Sequence, residues 1–146
     1  MELTIDQPFD LGASLESGQA HRWKKADDWY QGVVRKEFIQ IRQKGQMVEF
    51  SSGPSPEATA AAMLRDYFRF DDDIDAIYSD INRDDRVAAM VVKYPGLRIL
   101  RTEPWECLVA FICSANNNIA RIHQLMERMS NEFGIPLALN GQTRHT

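Results

Sequence analysis

The stretch EPWECLVAFICSANNNIARI, residues 103–122, places three consecutive asparagines between two apolar segments with helical periodicity. Asparagine is unfavourable inside a helix because its side-chain amide competes for the hydrogen bonds of the backbone. The asparagines therefore predict a break between two helices. A connection needs only one asparagine and a glycine, so three carboxamides followed by Arg121 raise the question of a second role.

Apolar side chains recur with the period of amphipathic helices on both sides of this break and upstream of it. The helical stripes are Ala60, Met63, Leu64 and Tyr67; Ile74, Ile77, Tyr78 and Ile81; Val87, Ala88, Val91 and Val92; Trp105, Leu108, Val109 and Ile112; and Ile119, Ile122, Leu125, Met126 and Met129. Ser55 is predicted to cap the first of these helices, and Pro56 to occupy its first position.

Residues 1 to about 51 are rich in aromatic and β-branched side chains and are interpreted as strands. Two pairs of strands are predicted, each joined by a turn: HRWK at 21–24 with WYQGVV at 29–34, and FIQIRQ at 38–43 with QMVEFS at 46–51. The pattern fits an antiparallel sheet with one covered face. A sheet followed by helices predicts an α+β fold, to which the final segment ALNGQTRHT adds no closing element.

Length and composition limit the class of protein. With 146 residues, 44% of them apolar, the chain suffices for one domain with a core, or for one domain and the beginning of a second. No run approaches the ~18 apolar residues of a membrane span, and MELTIDQPFD does not resemble a signal peptide. The spacing of Cys107 and Cys113 indicates neither a disulfide framework nor a metal site and favours a reducing cytosol. Trp23, Trp29 and Trp105 are expected to pack in the core rather than to stack on bases.

The charge is distributed unevenly. The formal net charge of −4 argues mildly against a nucleic-acid partner, but residues 18–45 carry seven basic and three acidic side chains, a local charge of +4. Residues 71–86 carry seven aspartates and two arginines, a local charge of −5. The acidic run lacks the pattern of an EF-hand loop and is interpreted as a solvated connection. Because His21, His123 and His145 have no metal-ligand spacing, no metal site and no cofactor are expected.

The segments SGQAHRW at 17–23 and EPWECLVAFICSANNNIARI at 103–122 together resemble the 8-oxoguanine DNA glycosylases. These repair enzymes of the helix-hairpin-helix superfamily excise oxidised guanine from DNA. The resemblance follows the order of the chain over nearly its whole length, and the asparagine block is its most specific part. Two positions differ from the family pattern: His21 stands where the family usually has phenylalanine, and Ala115 stands where it has a second serine.

The resemblance implies a function for the asparagine block. A glycosylase swings its target nucleotide out of the duplex and leaves the partner base unpaired. In the family, the residues that match Arg121 and Asn116 contact the estranged cytosine, because an arginine fork can donate to its two acceptors and an asparagine carbonyl can accept from its amino group. Asn117 matches the residue that enters the vacated space, and Asn118 matches one that helps to hold the loop and the DNA backbone.

Gly18 matches the family's lesion sensor. At ring position 7, oxidised guanine carries an N–H donor where guanine carries an acceptor. A main-chain carbonyl aimed there accepts a hydrogen bond from the lesion but faces a lone pair on guanine, a mismatch of about 1–3 kcal/mol. Glycine permits the close backbone approach that this contact requires. From the local sequence alone, a glycine needed for a tight turn or a bulge before a strand is an equally good interpretation.

The resemblance also implies the domain organisation. Residues 1–101 match the family's α+β N-terminal domain, a TATA-binding-protein-like antiparallel sheet packed with helices, and residues 102–146 match the first helices of its all-α catalytic domain. In the family, a lysine that forms a Schiff base and a nearby aspartate break the glycosidic bond, and both lie in or after a helix-hairpin-helix motif. Lys36, Lys44 and Lys93 lie in no such motif. We therefore expect the amino-terminal part of a bifunctional glycosylase/AP lyase, with no catalytic residue of its own and inactive by itself.

Two alternatives remain open at the level of sequence. The asparagines can form a solvated capping turn, although Arg121 is unfavourable for the helix dipole there. If they instead recognise DNA, Asn116 and Asn117 are expected to be exposed loop residues whose replacement changes stability by less than about 0.5 kcal/mol. The chain can also be a free-standing, non-catalytic module that binds DNA or a protein.

The glycosylase interpretation implies particular partners. It implies a monomer that binds double-stranded DNA containing 8-oxoguanine opposite cytosine and has no membrane partner. The corresponding location is the cytoplasm of a prokaryote or the nucleus of a eukaryote.

Overall fold

The computed structural model describes all 146 residues, which form seven strands and six helices. In chain order the elements are β1 (Glu2–Thr4), α1 (Leu11–Glu16), β2 (Lys24–Ala26), β3 (Trp29–Val34), β4 (Glu37–Lys44), β5 (Met47–Gly53), α2 (Glu57–Tyr67), α3 (Ile74–Ile81), α4 (Asp85–Lys93), α5 (Pro104–Ser114), α6 (Ile119–Phe133), β6 (Pro136–Leu139) and β7 (Gln142–His145). Five strands form one antiparallel sheet in the order β1-β5-β4-β3-β2, and β6 and β7 form a hairpin. The α+β class is confirmed. No helix has the length and apolar character needed to cross a lipid bilayer.

The main hydrophobic core lies on one face of the five-stranded sheet. Alternate residues of the three central strands point into it, because side chains along a strand alternate between the two faces. Helix α2 covers this face with Ala60 and Leu64, and the rings of Tyr67 and Phe68 close its end. The residues that the three central strands contribute are Tyr30, Val34, Ile39, Ile41, Val48 and Phe50.

The strand predicted at residues 21–24 (HRWK) is misplaced, because β2 begins at the last of these residues, Lys24. Arg22 and Trp23 are both buried, whereas consecutive residues of a strand with one covered face alternate in burial. Trp23 lies over β3 at Gly32, where a Cβ atom would come within 2.5 Å of the indole ring. Its indole N–H donates to the Tyr67 hydroxyl at 3.0 Å. This packing turns the segment before β2 into an ordered loop.

Helix α1 lies within residues 1–51, for which the sequence predicts strands. Asp10 caps the helix by accepting a hydrogen bond from the Ala13 N–H at 2.8 Å. Leu11 and Leu15, one turn apart, bury their side chains in the main core. An aspartate cap and paired leucines are helix signals, but six residues are too few for a helical period to stand out.

The C-terminal segment forms the β6–β7 hairpin, although no regular element is predicted there. Asn140 and Gly141 form its two-residue turn with φ angles of 49° and 75°, the left-handed pair that a type I′ turn requires. Leu137 packs against Val33 and Phe38, on the sheet face opposite to the main core. The expectation of a single covered face is therefore wrong for this part of the sheet.

The predicted cap of α2 is also wrong. Pro56 is the N-cap residue, and the helix begins at Glu57. The Ser55 backbone N–H and hydroxyl both donate to the Glu37 carboxylate on β4. A contact with a residue distant in sequence thus engages the serine that the local sequence predicts as a helix cap.

The apolar stripes predict helices α2 to α6 correctly but do not predict their burial. Helix α4 contains no buried residue, and Val92 is 81% exposed. Of the three tryptophans expected to pack in the core, Trp23 is buried and Trp29 partly buried, whereas Trp105 is 68% exposed. The prediction for Trp105 is therefore wrong, because this face of α5, which also includes the exposed Leu108, Phe111 and Ile112, is largely uncovered in this chain.

Candidate nucleic-acid interface

The loop that follows α1 and the first turn of α6 meet on one side of the molecule. Gly18 lies against Ile119, since a Cβ atom on this glycine would come within 2.9 Å of the Ile119 Cδ1 atom. A second contact joins the same segments: the rings of His21 and His123 pack edge to face with their centroids 5.1 Å apart. The predicted lesion sensor and the asparagine block therefore border a common surface.

Gly18 has the backbone conformation that its position requires. Its φ angle of 87° lies in the left-handed region, which is open to glycine and strained for other residues. The Gly18 carbonyl accepts no hydrogen bond from the rest of the protein. Gly18 thus provides a turn, and its carbonyl oxygen remains available to a donor on a ligand.

The three asparagines fall into two kinds. Asn117 donates its side-chain amide to the Cys113 carbonyl oxygen at 2.8 Å and so caps the end of α5. Asn118 caps the beginning of α6 by accepting a hydrogen bond from the Arg121 backbone N–H at 2.9 Å. Asn116 is exposed, has a left-handed φ angle of 55°, and its side chain bonds to no other residue. Asparagine tolerates this conformation better than most residues.

Arg121 resembles Asn116 in having a free side chain. It is exposed in the first turn of α6, and its guanidinium group forms no hydrogen bond or ion pair within the protein. Its positive charge is unfavourable beside the helix N-terminus. The capping-turn interpretation thus accounts for Asn117, for Asn118 and for the backbone conformation of Asn116, but no bond within the protein holds the side chains of Asn116 and Arg121.

Asn117→Ala is expected to lower the free energy of unfolding by about 1 kcal/mol, because the Cys113 carbonyl loses its partner. The sequence-based expectation that Asn117 is a free loop residue is therefore wrong. Asn116→Gly is expected to leave stability unchanged or slightly higher, since glycine suits a left-handed position at a helix C-terminus; alanine would add backbone strain there. Denaturant unfolding of the two variants checks this, and an equal loss in both would contradict the assignment.

His21 and His123 form an uncharged aromatic contact beside this surface. Burial lowers the pKa of both imidazoles, and repulsion by His123 adds to the effect at His21. Both rings are therefore neutral at pH 7. The Nδ1 atom of His21 and the Nε2 atom of His123 are buried without a hydrogen-bond partner. The histidine that replaces the family's usual phenylalanine thus packs against α6 as an aromatic ring.

A cluster of charges fixes α6 to the sheet. The Glu127 carboxylate accepts hydrogen bonds from Lys24 Nζ and Arg144 Nη1, both at 2.8 Å. Burial alone would raise the pKa of Glu127, but Lys24 and Arg144 hold it below its usual value. The cluster joins β2, α6 and β7, so the body of α6 has a fixed position behind the asparagine block.

Ile119 is a residue of this surface for which the sequence predicts no functional role. Its place in an apolar stripe predicts a core position, but it is 53% exposed and touches Gly18. No local signal distinguishes it from the other apolar residues of α6. The contact between Ile119 and Gly18 is evident only in the folded structure, where the loop after α1 lies beside α6.

Comparison with known proteins identifies relatives over most of the chain. Residues 2–108 match the family model described as 8-oxoguanine DNA glycosylase, N-terminal domain. An N-glycosylase/DNA lyase of Saccharomyces cerevisiae is 38% identical over 137 residues, which are 85% of this chain and 36% of that protein. An N-glycosylase/DNA lyase of Arabidopsis thaliana is 32% identical over 126 residues, 82% of this chain and 34% of that protein. The chain thus spans about a third of the length of these curated relatives.

A solved structure shares the whole fold. The crystal structure of Clostridium acetobutylicum 8-oxoguanine glycosylase/lyase, in complex with double-stranded DNA containing cytosine opposite 8-oxoguanine, matches with a TM-score of 0.86 and 25% sequence identity. The match covers 100% of this chain and 53% of that chain. Because the family model covers well over half of the sequence, this chain belongs to the 8-oxoguanine DNA glycosylase family, and residues 2–108 correspond to the N-terminal domain of that family.

Proposed function

We propose that this chain is the N-terminal part of a bifunctional 8-oxoguanine DNA glycosylase/AP lyase of base-excision repair. Its substrate is double-stranded DNA that contains 8-oxoguanine opposite cytosine, which the protein binds as a monomer. Family membership supports the reaction, and the DNA bound by the Clostridium acetobutylicum relative supports the substrate. A DNA substrate corresponds to the cytoplasm of a prokaryote or the nucleus of a eukaryote.

The observation that carries the proposal is that the side chains of Asn116 and Arg121 are exposed and form no hydrogen bond within the protein. Asn117 and Asn118, the other two asparagines of the block, cap helices. The side chains of Asn116 and Arg121 have no such partners within the protein. A cytosine that has lost its pairing partner presents one donor and two acceptors along one edge. In the proposed complex, the Arg121 guanidinium donates to the two acceptors and the Asn116 carbonyl accepts from the amino group.

The two capping asparagines have supporting roles in the proposed complex. Asn117 donates its amide to the end of α5 while its side-chain oxygen forms no bond, so it can fill the space left by the flipped base without releasing the cap. An uncharged amide suits that space, because a charged group would carry a larger desolvation cost on entering the stack. Asn118 holds the turn and the start of α6 against the DNA backbone.

Gly18 is the proposed lesion sensor. Its carbonyl is free, and its backbone is held in a conformation open only to glycine at low strain. In the proposed complex, this carbonyl accepts the N–H at position 7 of 8-oxoguanine. Guanine offers a lone pair there instead, and the unsatisfied contact amounts to about 1–3 kcal/mol, roughly ten- to a hundredfold in affinity.

The proposal also divides the chain into residues 1–101, the N-terminal domain, and residues 102–146, the start of the helical domain. Two separate hydrophobic clusters support this division. Leu100 belongs to the main core around the sheet, whereas α5 and α6 pack on each other through a cluster of their own, formed by Ala110, Ile122 and Met126. In this proposal, the Schiff-base lysine is none of the lysines among these 146 residues.

Borohydride trapping tests the proposal. The natural full-length protein is expected to release 8-oxoguanine placed opposite cytosine and to become covalently joined to the DNA when borohydride reduces the Schiff base. The 146-residue chain is expected to form no such adduct. An adduct with this chain would contradict the proposed location of the nucleophile. A full-length protein that binds the duplex but neither excises the base nor forms an adduct would instead be a non-catalytic binding module.

A further inference from the structure

The side chain of Gln19, next to Gly18, bridges to a distant segment of the chain. Its Nε2 atom donates to the Arg98 carbonyl oxygen at 2.7 Å, and its Oε1 atom accepts from the Leu100 N–H at 2.9 Å. The amide thus pairs with this segment through one acceptor and one donor, as the backbone of a neighbouring strand does. Both bonds join residues that are far apart in sequence and come together only in the folded protein.

The same amide holds the residues on the other side of Gly18. Its Nε2 atom lies 3.1 Å from the Ser14 carbonyl oxygen and 2.9 Å from the Ser17 hydroxyl oxygen. The Ser14 hydroxyl accepts a hydrogen bond from the Arg98 N–H at 3.0 Å. Gly18 therefore lies between two neighbours, Ser17 and Gln19, that are tied to one another, and both Gln19 and Ser14 are tied to the same distant segment.

The segment to which Gln19 is tied is itself rigidly held. Arg98 is 3% exposed, and its guanidinium group donates to the carbonyl oxygens of Pro8, Arg69 and Asp72 at 3.1–3.4 Å. Such a network leaves little freedom to the backbone at residue 98, because moving it would break several partly buried hydrogen bonds together. The anchor of the Gly18 loop is therefore part of the body of the domain.

We infer that Gln19 is a positioning residue for lesion recognition, whose bridge to Arg98 and Leu100 sets the direction of the Gly18 carbonyl. The Gly18 carbonyl and the Gln19 N–H belong to one planar peptide unit, so a change in the Gln19 φ angle turns the carbonyl relative to the anchored Gln19 side chain. Hydrogen bonds weaken steeply as they leave a linear geometry. The inference rests on the proposed role of Gly18 as lesion sensor.

Gln43 on β4 provides a matched control. Its Oε1 atom accepts from the Leu11 N–H at 2.8 Å, and its Nε2 atom donates to the Phe9 carbonyl oxygen at 2.8 Å. The bridge has the same pattern as that of Gln19, since both span the carbonyl of one residue and the N–H two positions later. It holds the beginning of α1, whereas Gln19 holds the loop after the end of α1.

The experiment compares Gln19→Leu and Gln43→Leu in the natural full-length protein. Each variant is measured for its affinity for a duplex with guanine opposite cytosine and for the same duplex with 8-oxoguanine, carried on a 2′-fluorinated sugar that resists cleavage. The wild-type protein is expected to prefer the lesion. Gln19→Leu is expected to lose about tenfold or more of this preference, and Gln43→Leu to retain it. Both are expected to lower the melting temperature by similar amounts, about 4–8 °C for the loss of the bridge and its accompanying bonds.

The outcomes separate the possibilities. A Gln19→Leu protein that keeps the wild-type preference, or equal losses in the two variants, would overturn the positioning role. Gln19→Glu is the second variant, because it still accepts from Leu100 but sets a carboxylate against the Arg98 carbonyl, and the same loss of preference is expected. A wild-type protein without any preference for the lesion would overturn the proposed function of Gly18 itself, and the positioning role with it.

Discussion

Arg121→Ala is expected to remove most of the preference for cytosine opposite the lesion, a loss of roughly ten- to a hundredfold for the ~1–3 kcal/mol of a bidentate base contact. The guanidinium has no partner inside the protein, so its removal breaks no internal bond. It also relieves an unfavourable charge at a helix N-terminus. The expected effect therefore falls on DNA recognition and not on stability.

Arg128 supplies the control for this prediction. It is exposed on α6 two turns after Arg121, so it presents the same side chain on nearly the same helix face. Arg128→Ala is expected to weaken all duplexes alike or not at all, because phosphate contacts position a protein whereas base contacts specify sequence. The measurement is the affinity of the full-length variants for uncleavable lesion duplexes with cytosine or adenine opposite. Equal losses opposite the two bases in Arg121→Ala would reduce Arg121 to a phosphate or structural contact.

Gly18→Ala is expected to reduce affinity for the lesion duplex by about ten- to a hundredfold, the ~1–3 kcal/mol of a buried polar contact left unsatisfied. The new methyl group would lie 2.9 Å from Ile119 Cδ1, and alanine at a φ angle of 87° is strained by about 1–2 kcal/mol. Rotation of the Gly18 peptide relieves both problems. That rotation also turns the carbonyl away from the base, so the lesion loses its acceptor.

Two further variants separate strain from collision. Gly45→Ala has the same kind of strain, since Gly45 has a φ angle of 61°, but no atom lies within 4 Å of the added Cβ. It is expected to lose about 1 kcal/mol of stability and to keep the lesion preference. Adding Ile119→Ala to Gly18→Ala removes the collision alone and is expected not to restore lesion affinity. Full lesion preference in Gly18→Ala would show that another group senses the oxidised base.

Local patterns in the sequence were sufficient where short-range physics decides the conformation. The apolar period predicts α2 to α6, since a helix is defined by contacts between residues three and four apart. Alternation predicts the β4–β5 hairpin, but its turn is Gly45-Gln46 and not Lys44-Gly45, since Lys44 pairs with Met47. The β6–β7 hairpin has an equally local signal in Asn140-Gly141, so its absence from the predicted elements is an error of interpretation and not of missing information.

Other features depended on competition between local and distant partners. Ser55 is a good helix cap by its type and position, but the Glu37 carboxylate on β4 takes its hydrogen-bond donors. Trp105 lies in a helical stripe that predicts burial, yet its side chain remains 68% exposed in this chain. A pattern specifies which face of an element is apolar, but burial requires a second element to cover that face.

In the candidate site, too, some features follow from the sequence and others from the tertiary structure. The sequence by itself determined the family, and it indicated Gly18, the three asparagines and Arg121 as one set. Only the tertiary structure decided that Asn117 and Asn118 are used as caps, whereas Asn116 and Arg121 are left free. It also brought Gly18 against Ile119 and tied the Gly18 loop to the body of the domain. The physical reason is that side-chain hydrogen bonds and contacts between distant segments form only after packing has brought their partners together.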